Sequence, residues 1–212
     1  MNSRLTRFDR RLARSAGVRR LAGVDEVGRG CLAGPVVVAA VVLPFGVEIE
    51  GVDDSKRLSA LARERAFARI VQGCLQWSAV TVSAAEVDEH NVLVASLLGM
   101  ERAIRRLDPP PELVLIDGNR LPPNAPDAAI ALVKGDGRSL CIAAASIVAK
   151  VLRDRIMHSW HRRYPAYGFD RHVGYPTAQH RQALLSVGPC PLHRRSFAPV
   201  RATLQEELRG SA

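Results

Sequence analysis

The longest uncharged stretch of the chain, Cys31 to Val47, is interrupted by Gly34, Pro35, Pro44 and Gly46. It is too short and too broken to cross a membrane, so its Val-rich part, Val36 to Leu43, reads as a buried strand. Leu21 to Asp25 is a second short apolar run, and the pair predicts a hairpin. Ser59 can cap a helix running to about Gly73, with Leu61, Ala62, Phe67, Ile70 and Val71 at near-helical spacing. Ala79 to Ser83 follows as a strand. A second helix from about Glu86 carries Val92, Leu93, Leu97, Met100 and Ile104, and Leu113 to Ile116 and Ala129 to Val133 are predicted strands. Ser139 to about His161 is a helix that covers the sheet. Two strands followed by alternation of strands and helices argue an α/β or α+β layered fold with a mixed sheet, rather than a helical bundle.

With 212 residues, 47% of them hydrophobic, the chain can bury one substantial core. Residues 1–20 form an Arg-rich leader and 21–212 a single domain, in which about 164–212 is an accessory segment wrapping over a substrate. The leader holds Arg4, Arg7, Arg10, Arg11 and Arg14 but no secretory core. It reads as a solvated or nucleic-acid-facing tail on a cytoplasmic protein, with an organelle transit peptide as the alternative. Thirty Lys and Arg against twenty-one Asp and Glu leave +9, a charge that attracts polyanions. Cys31, Cys74, Cys141 and Cys190 are too scattered for a zinc pair or a disulfide framework, so free, mostly buried thiols are expected. The histidines, His158 and His161 among them, read as solvated or phosphate-facing.

Asp25, Glu26, Asp117 and Asp136 each lie at or just beyond the end of an apolar strand-like segment, where open sheets place ligand sites. Any one of them alone could be an Asx turn or a helix cap. Together they would repel one another unless hard divalent cations such as Mg²⁺ or Mn²⁺ occupied the site. Neighbours on a regular strand face opposite ways, but Gly28 and Gly30 follow at once, so the chain can leave regular geometry and the longer Glu26 side chain can reach round the strand edge to share a site with Asp25. Gly28-Arg29-Gly30 exposes backbone amides to a sugar-phosphate and offers Arg29 to a phosphate. It is neither a Walker loop nor a dinucleotide fingerprint.

GVDEVGRGCLAGPVVVAAVVLP, DDSKRLS, LVLIDG, VKGDGRSLCIAAASIVAKVLRDR, YPAYGF followed by H-x-GYPT, and GPCPLHRRSFAPV resemble the ordered motifs of bacterial ribonuclease HII. The match runs from about Gly23 to Val200. The resemblance implies a ribonuclease H-like fold with a mixed five-stranded sheet flanked by helices and a carboxy-terminal helical extension. It puts the catalytic, metal-holding carboxylates at Asp25, Glu26, Asp117 and Asp136, the ribose-reading motif at Gly28, Arg29 and Gly30, and the junction-sensing tyrosine at Tyr175. Ser55 and Lys56 match a loop near the phosphate backbone. Asp154 matches an acidic position of the family, with pairing to Lys150, Arg153 or Arg155 as the alternative role. Val173 departs from the pattern, because many relatives carry Lys there.

The implied substrates are RNA-DNA hybrids and duplex DNA with embedded ribonucleotides, and a monomer with no membrane attachment is expected. A contact with a replication clamp is not specified by the sequence. Hydrolysis would use two divalent ions roughly 4 Å apart, with cleavage 5′ to the ribonucleotide leaving a 3′-hydroxyl and a 5′-phosphate. Two rivals remain: a deoxyribonuclease or junction resolvase with the same acids, and a non-catalytic nucleic-acid-binding module.

Overall fold

The computed structural model describes residues 4–52 and 58–210 of the chain. Their order is α1 (Arg4–Ala16), β1 (Leu21–Val27), β2 (Val36–Val42), α2 (Ala60–Gly73), β3 (Gln76–Val82), α3 (Ala84–His90), α4 (Val92–Arg105), β4 (Leu113–Asp117), β5 (Ala129–Leu132), α5 (Leu140–Arg163), α6 (Phe169–His172), α7 (Ala178–Val187) and α8 (Ala198–Gly210). The strands form one mixed sheet in the order β3-β2-β1-β4-β5. β2 is buried along its whole length, as the unbroken apolar run requires.

β1 and β2 pair antiparallel with Asp25 opposite Ala39, while β1 with β4 and β4 with β5 pair in parallel. The carboxy-terminal ends of β1, β4 and β5 therefore lie at the same end of the sheet, and each leads to an acid. Among the described residues no helix is long and apolar enough to cross a membrane.

Two compact units make up the fold: Met1–Val27, Val37–Val80 and Leu97–Val151 in the first, and Gly28–Val36, Thr81–Ser96 and Leu152–Ala212 in the second. In the first, Gly23 lets α5 approach β1 closely, because a Cβ there would collide with the backbone of Cys141. α1 belongs to this unit and is not a free tail. Leu5, Thr6, Asp9 and Ala13 are buried, and Asp9 Oδ2 accepts the Cys141 amide at 2.9 Å, where the positive end of the α5 dipole favours a carboxylate.

Several boundaries differ from the sequence reading for local reasons. The single helix expected from Glu86 is two helices, broken at Asn91, whose φ is +65°. The Asn91 side chain accepts the amides of Leu93 and Val94 and so starts α4. α3 is started by a capping box between Ser83 and Glu86. α2 begins at its expected cap, Ser59, which accepts the Ala62 amide. β3 starts three residues earlier than expected, at Gln76.

All four cysteines are free, with Cys31 and Cys141 buried and Cys74 and Cys190 half-buried. The expectation of solvated histidines fails for three of the six: His172, His180 and His193 are buried. Each is held by hydrogen bonds within the second unit.

Candidate active site

In the first unit the sheet register brings acids together. Val24 pairs with Ile116 on parallel strands, so Asp25 and Asp117 follow side by side on strands about 4.8 Å apart. Asp25 is buried, and its carboxylate accepts the Glu26 amide at 2.7 Å and a hydrogen bond from Ser146 on α5. Burial first, then the carboxylates of Glu26 and Asp117, push the Asp25 pKa well above the usual carboxylate range.

Asp117 Oδ1 accepts the Gly135 amide at 2.6 Å. That bond ties the loop after β5 to the end of β4. Lys134 turns the chain through the left-handed region at φ +55°, and Asp136 then sits in a 3-10 turn, Gly135–Gly137, where its carboxylate accepts the Gly137 amide. A Cβ on Gly135 would stand 2.5 Å from Ile142 Cδ1 and 3.2 Å from Asp117 Oδ1, so glycine lets this turn approach Asp117 without displacing either side chain.

The expected departure from strand geometry at Glu26 does not occur. β1 keeps its register with β2 through Val27, and the chain leaves it only at Gly28, φ +103°. Glu26 thus remains on a regular strand, half-buried, so only its longer side chain, reaching round the strand edge, would bring its carboxylate to the site, and its charge raises the Asp25 pKa.

Among the described residues no three His, Cys, Asp or Glu side chains are grouped to chelate a single ion. The donors are carboxylates held at the ends of separate segments. Such a set fits hard cations that retain several waters and complete their shell with substrate phosphate oxygens. The mutual repulsion at Asp25 is what such cations would relieve.

In the second unit the chain from Gly28 to Val36 is fixed by two fully buried arginines. Arg194 donates from Nη2 to Gly28 O at 2.8 Å, from Nη1 to Arg29 O at 2.8 Å, and from Nη2 and Nε to Gly34 O at 2.9 and 3.2 Å. Arg153 donates to the carbonyls of Pro35, Ala33 and Val173. A planar fork of donors suits a curved row of carbonyls in a way that an ammonium cannot. Gly28 is dictated by this packing as well as by its φ, since a Cβ would collide with Arg153 Nε.

Gly30 is different. No described atom lies within 4 Å of the Cβ it lacks, and its φ is not positive. Arg29 and Gly30 are exposed.

Tyr175 follows Gly174, whose missing Cβ allows contact with Ala33 O. Its ring is 38% exposed and lies 5.8 Å from the Arg153 guanidinium carbon. The Tyr175 carbonyl accepts the Thr177 amide at 2.8 Å and His180 Nδ1 at 2.9 Å. A carbonyl only accepts, so His180 carries its proton on Nδ1, its Nε2 accepts from His193 Nε2 at 3.0 Å, and His193 Nδ1 accepts the Cys190 amide. Burial lowers both His180 and His193 to about 4, which keeps both neutral and the tautomers fixed. Burial raises the Tyr175 pKa, and the nearby Cys31 thiol and Asp154 carboxylate act in the same direction. Val173 lies at φ +42°, an uncommon conformation for a β-branched residue, with its carbonyl on Arg153.

The structure thus gathers Asp25, Glu26, Asp117 and the Asp136 turn in one unit, and Gly28, Arg29, Gly30, Tyr175 and Asp154 in the other. Ser55 and Lys56 lie outside the described residues. Ser146 and Arg194 have no role in the sequence analysis, and Arg153 appears there only as a candidate partner of Asp154. For Arg153 a signal existed, because it falls at four-residue spacing between Ala149 and Met157 on the buried face of α5.

The profile of the ribonuclease HII family matches residues 22–200. Ribonuclease HII of Xanthomonas oryzae is 52% identical over 91% of this chain and 77% of its own length, and that of Geobacillus kaustophilus is 51% identical over 95% and 76%. The ribonuclease H2 of Pyrococcus horikoshii superposes with a TM-score of 0.76 at 28% identity, covering 90% of this chain and 99% of that one. A ribonuclease HIII crystallised with Mn²⁺ superposes with a TM-score of 0.70 at 21% identity, over 93% of this chain and 73% of the other, which is a likeness of fold. With its motifs, sheet order and nearly full-length identity in agreement, the chain belongs to the ribonuclease HII family and is an enzyme of the ribonuclease H type, acting on RNA-DNA hybrids.

Proposed function

We propose that this ribonuclease cleaves on the 5′ side of single ribonucleotides embedded in duplex DNA as well as within RNA-DNA hybrids, leaving a 3′-hydroxyl and a 5′-phosphate. This reaction would begin the removal of ribonucleotides from DNA. The observation that carries the reading is Gly30: nothing in the described fold requires a glycine there, so the open space is what a sugar edge would occupy. The 2′-hydroxyl both donates and accepts, and a backbone approached without a side chain in the way can meet both capacities.

Asp25, Glu26, Asp117 and Asp136 would hold Mn²⁺ or Mg²⁺. Divalent ions held there would supply activation of the attacking water and stabilisation of the departing 3′ oxygen. The protein's own part is to fix the carboxylates: Ser146 and the Glu26 amide orient Asp25, and the Gly135 amide orients Asp117. Arg29, exposed beside Gly30, would meet a phosphate. The Tyr175 ring, carried on a backbone pinned by His180, would stack on the deoxyribose beyond the ribonucleotide and so favour an RNA-DNA junction. Asp154, within electrostatic reach of Tyr175, is given a supporting role beside it.

A structure of an archaeal relative from Archaeoglobus fulgidus, 28% identical with a TM-score of 0.67, is of its complex with PCNA. A contact with a replication clamp is accordingly a proposal for this chain too.

The test is cleavage of a duplex carrying one ribonucleotide, by the wild type and by Gly30→Ala. The wild type should cut it 5′ to the ribonucleotide, and the variant should fold normally and lose most of that activity. A deoxyribonuclease would cut the all-DNA duplex equally, and a binding module would cut neither. A fully active Gly30→Ala enzyme would contradict the assignment of ribose reading to this backbone.

A further inference from the structure

α1 concentrates charge in a way the fold does not need. Arg4, Arg7, Arg10, Arg11 and Arg14 are all exposed on one thirteen-residue helix, and its first turn holds no acid. Cations three and four residues apart on a helix repel one another, and Arg4 also faces the unfavourable end of the helix dipole. Apart from Arg4, these arginines make no ion pair or hydrogen bond with the described residues. The opposite face compensates: Leu5 and Ala13 are buried, Asp9 is bonded to the start of α5, and Thr6 Oγ1 donates to Val47 O. The helix is therefore a docked, rigid carrier of positive charge. A clustering of this kind, against local preference, marks a surface kept for a ligand.

The anchoring also sets direction. Arg4 Nη2 donates to Gly137 O at 3.2 Å, and Arg138 lies over the Phe8 ring, so the amino-terminal end of α1 rests on the turn that carries Asp136. Arg4, Arg7, Arg11 and Arg14 recur at near-heptad spacing along one stripe, with Arg10 beside it. At 1.5 Å per residue the stripe runs about 15 Å away from that turn, enough to follow two or three successive phosphates. The family profile begins at residue 22, beyond α1.

We infer that the exposed arginine face of α1 is a second nucleic-acid contact, binding the phosphodiester backbone of the duplex outside the scissile region. This rests on the reading of the protein as a duplex-cutting ribonuclease. A polyanion is chosen over an anionic bilayer because an interfacial helix must bury its apolar face in lipid, and here that face is already buried in protein. Arginine forks suit phosphate oxygens, which asks nothing of base sequence.

The experiment combines Arg7→Gln, Arg10→Gln, Arg11→Gln and Arg14→Gln, leaving Arg4 and its bond beside Asp136 in place. Affinity for a long duplex with one central ribonucleotide is measured against salt, beside the matching quadruple Lys variant. Every phosphate that the Gln variant no longer neutralises should make the slope of log affinity against log salt shallower by about 0.9, with affinity at low salt down about tenfold or more. The turnover rate at saturating substrate should be unchanged, and the Lys variant should keep the wild-type slope. An unchanged slope in a Gln variant with wild-type helical content would overturn the inference. So would loss of binding to phosphatidylserine vesicles with duplex binding intact, which would assign the face to membranes. If the wild type itself fails to cut the substrate, the functional reading fails and not the α1 contact, which the salt slope reports independently of cleavage.

Discussion

The two compact units hold their functional groups by opposite means. In the first, the parallel register of β1 and β4 forces Asp25 and Asp117 together with Glu26 nearby, and the site is destabilised by its own charge. In the second, the crowded groups are carbonyls, and the buried guanidinium groups of Arg194 and Arg153 satisfy them before any ligand arrives. The difference teaches where preorganisation is needed. A metal-dependent centre, the role proposed for the first unit, can leave its repulsion for cations to relieve, whereas a backbone proposed to discriminate one hydroxyl group has to be rigid in advance.

The sharpest break of this contrast is Asp25→Asn. Its Oδ1 can still accept the Glu26 amide, but the charge is gone. Cleavage should fall by at least about 10²-fold, as for loss of a preorganised catalytic group, with duplex affinity retained or improved. Because the fold disfavours the ionised form of Asp25 at neutral pH, the neutral variant should be more stable. In EDTA its melting temperature should rise by about 2–4 °C, the shift that ~1 kcal/mol gives a chain of this size. Mn²⁺ should raise the melting temperature of the wild type more than that of the variant. A less stable variant would mean that burial and the neighbouring carboxylates do not disfavour the charge of Asp25.

Arg194→Lys probes the other unit with the charge kept and the fork removed. The carbonyls of Gly28, Arg29 and Gly34 cannot all be reached by one ammonium, so stability should fall by about 2–4 kcal/mol in denaturant titrations. At a temperature where the variant is folded, cleavage of single-ribonucleotide duplexes should drop more than cleavage of long hybrids. Equal loss on both substrates would remove the link between this arginine and ribose reading.

The smallest effect is on pH dependence. His180 and His193 titrate near 4 in the fold against 6.5 when unfolded. Below pH 6.5 the unfolded chain therefore takes up protons that the native state refuses. The stability these residues contribute is complete above pH 6.5 and is lost as pH falls toward 4. The raised pKa of Asp25 acts with the opposite sign, so the comparison is differential: His193→Gln should show a flatter fall in melting temperature over that range than the wild type. Identical slopes would show that the His180–His193 pair is not held neutral.

How much of this was legible in the sequence depended on whether a feature was local. The hairpin of β1 and β2, the cap at Ser59 and the acids at strand ends follow from apolar runs and their punctuation. The break at Asn91 was not legible, because an Asn within an apolar-periodic segment can face solvent on an unbroken helix as well as cap a new one, and nothing local announces the positive φ found there. Arg194 and His193 were read within a motif and given no role, since their partners Gly28, Arg29 and His180 come from distant segments. α1 was missed because its arginines hide the Leu5, Asp9 and Ala13 spacing that docks it.

The most direct test of the division between the units is the ratio of single-ribonucleotide to long-hybrid cleavage in Tyr175→Ala and Asp117→Asn. Stacking of the Tyr175 ring is worth roughly 1–3 kcal/mol if base-aromatic stacking is a guide. An embedded ribonucleotide offers the junction at its scissile site and the interior of a hybrid does not, so Tyr175→Ala should lower the ratio by about 5- to 150-fold, the equivalent of that energy. Residual cleavage by Asp117→Asn should fall on both substrates with the ratio unchanged. A Tyr175→Ala enzyme with the wild-type ratio, or an Asp117→Asn enzyme with an altered one, would contradict the separation of chemistry from recognition.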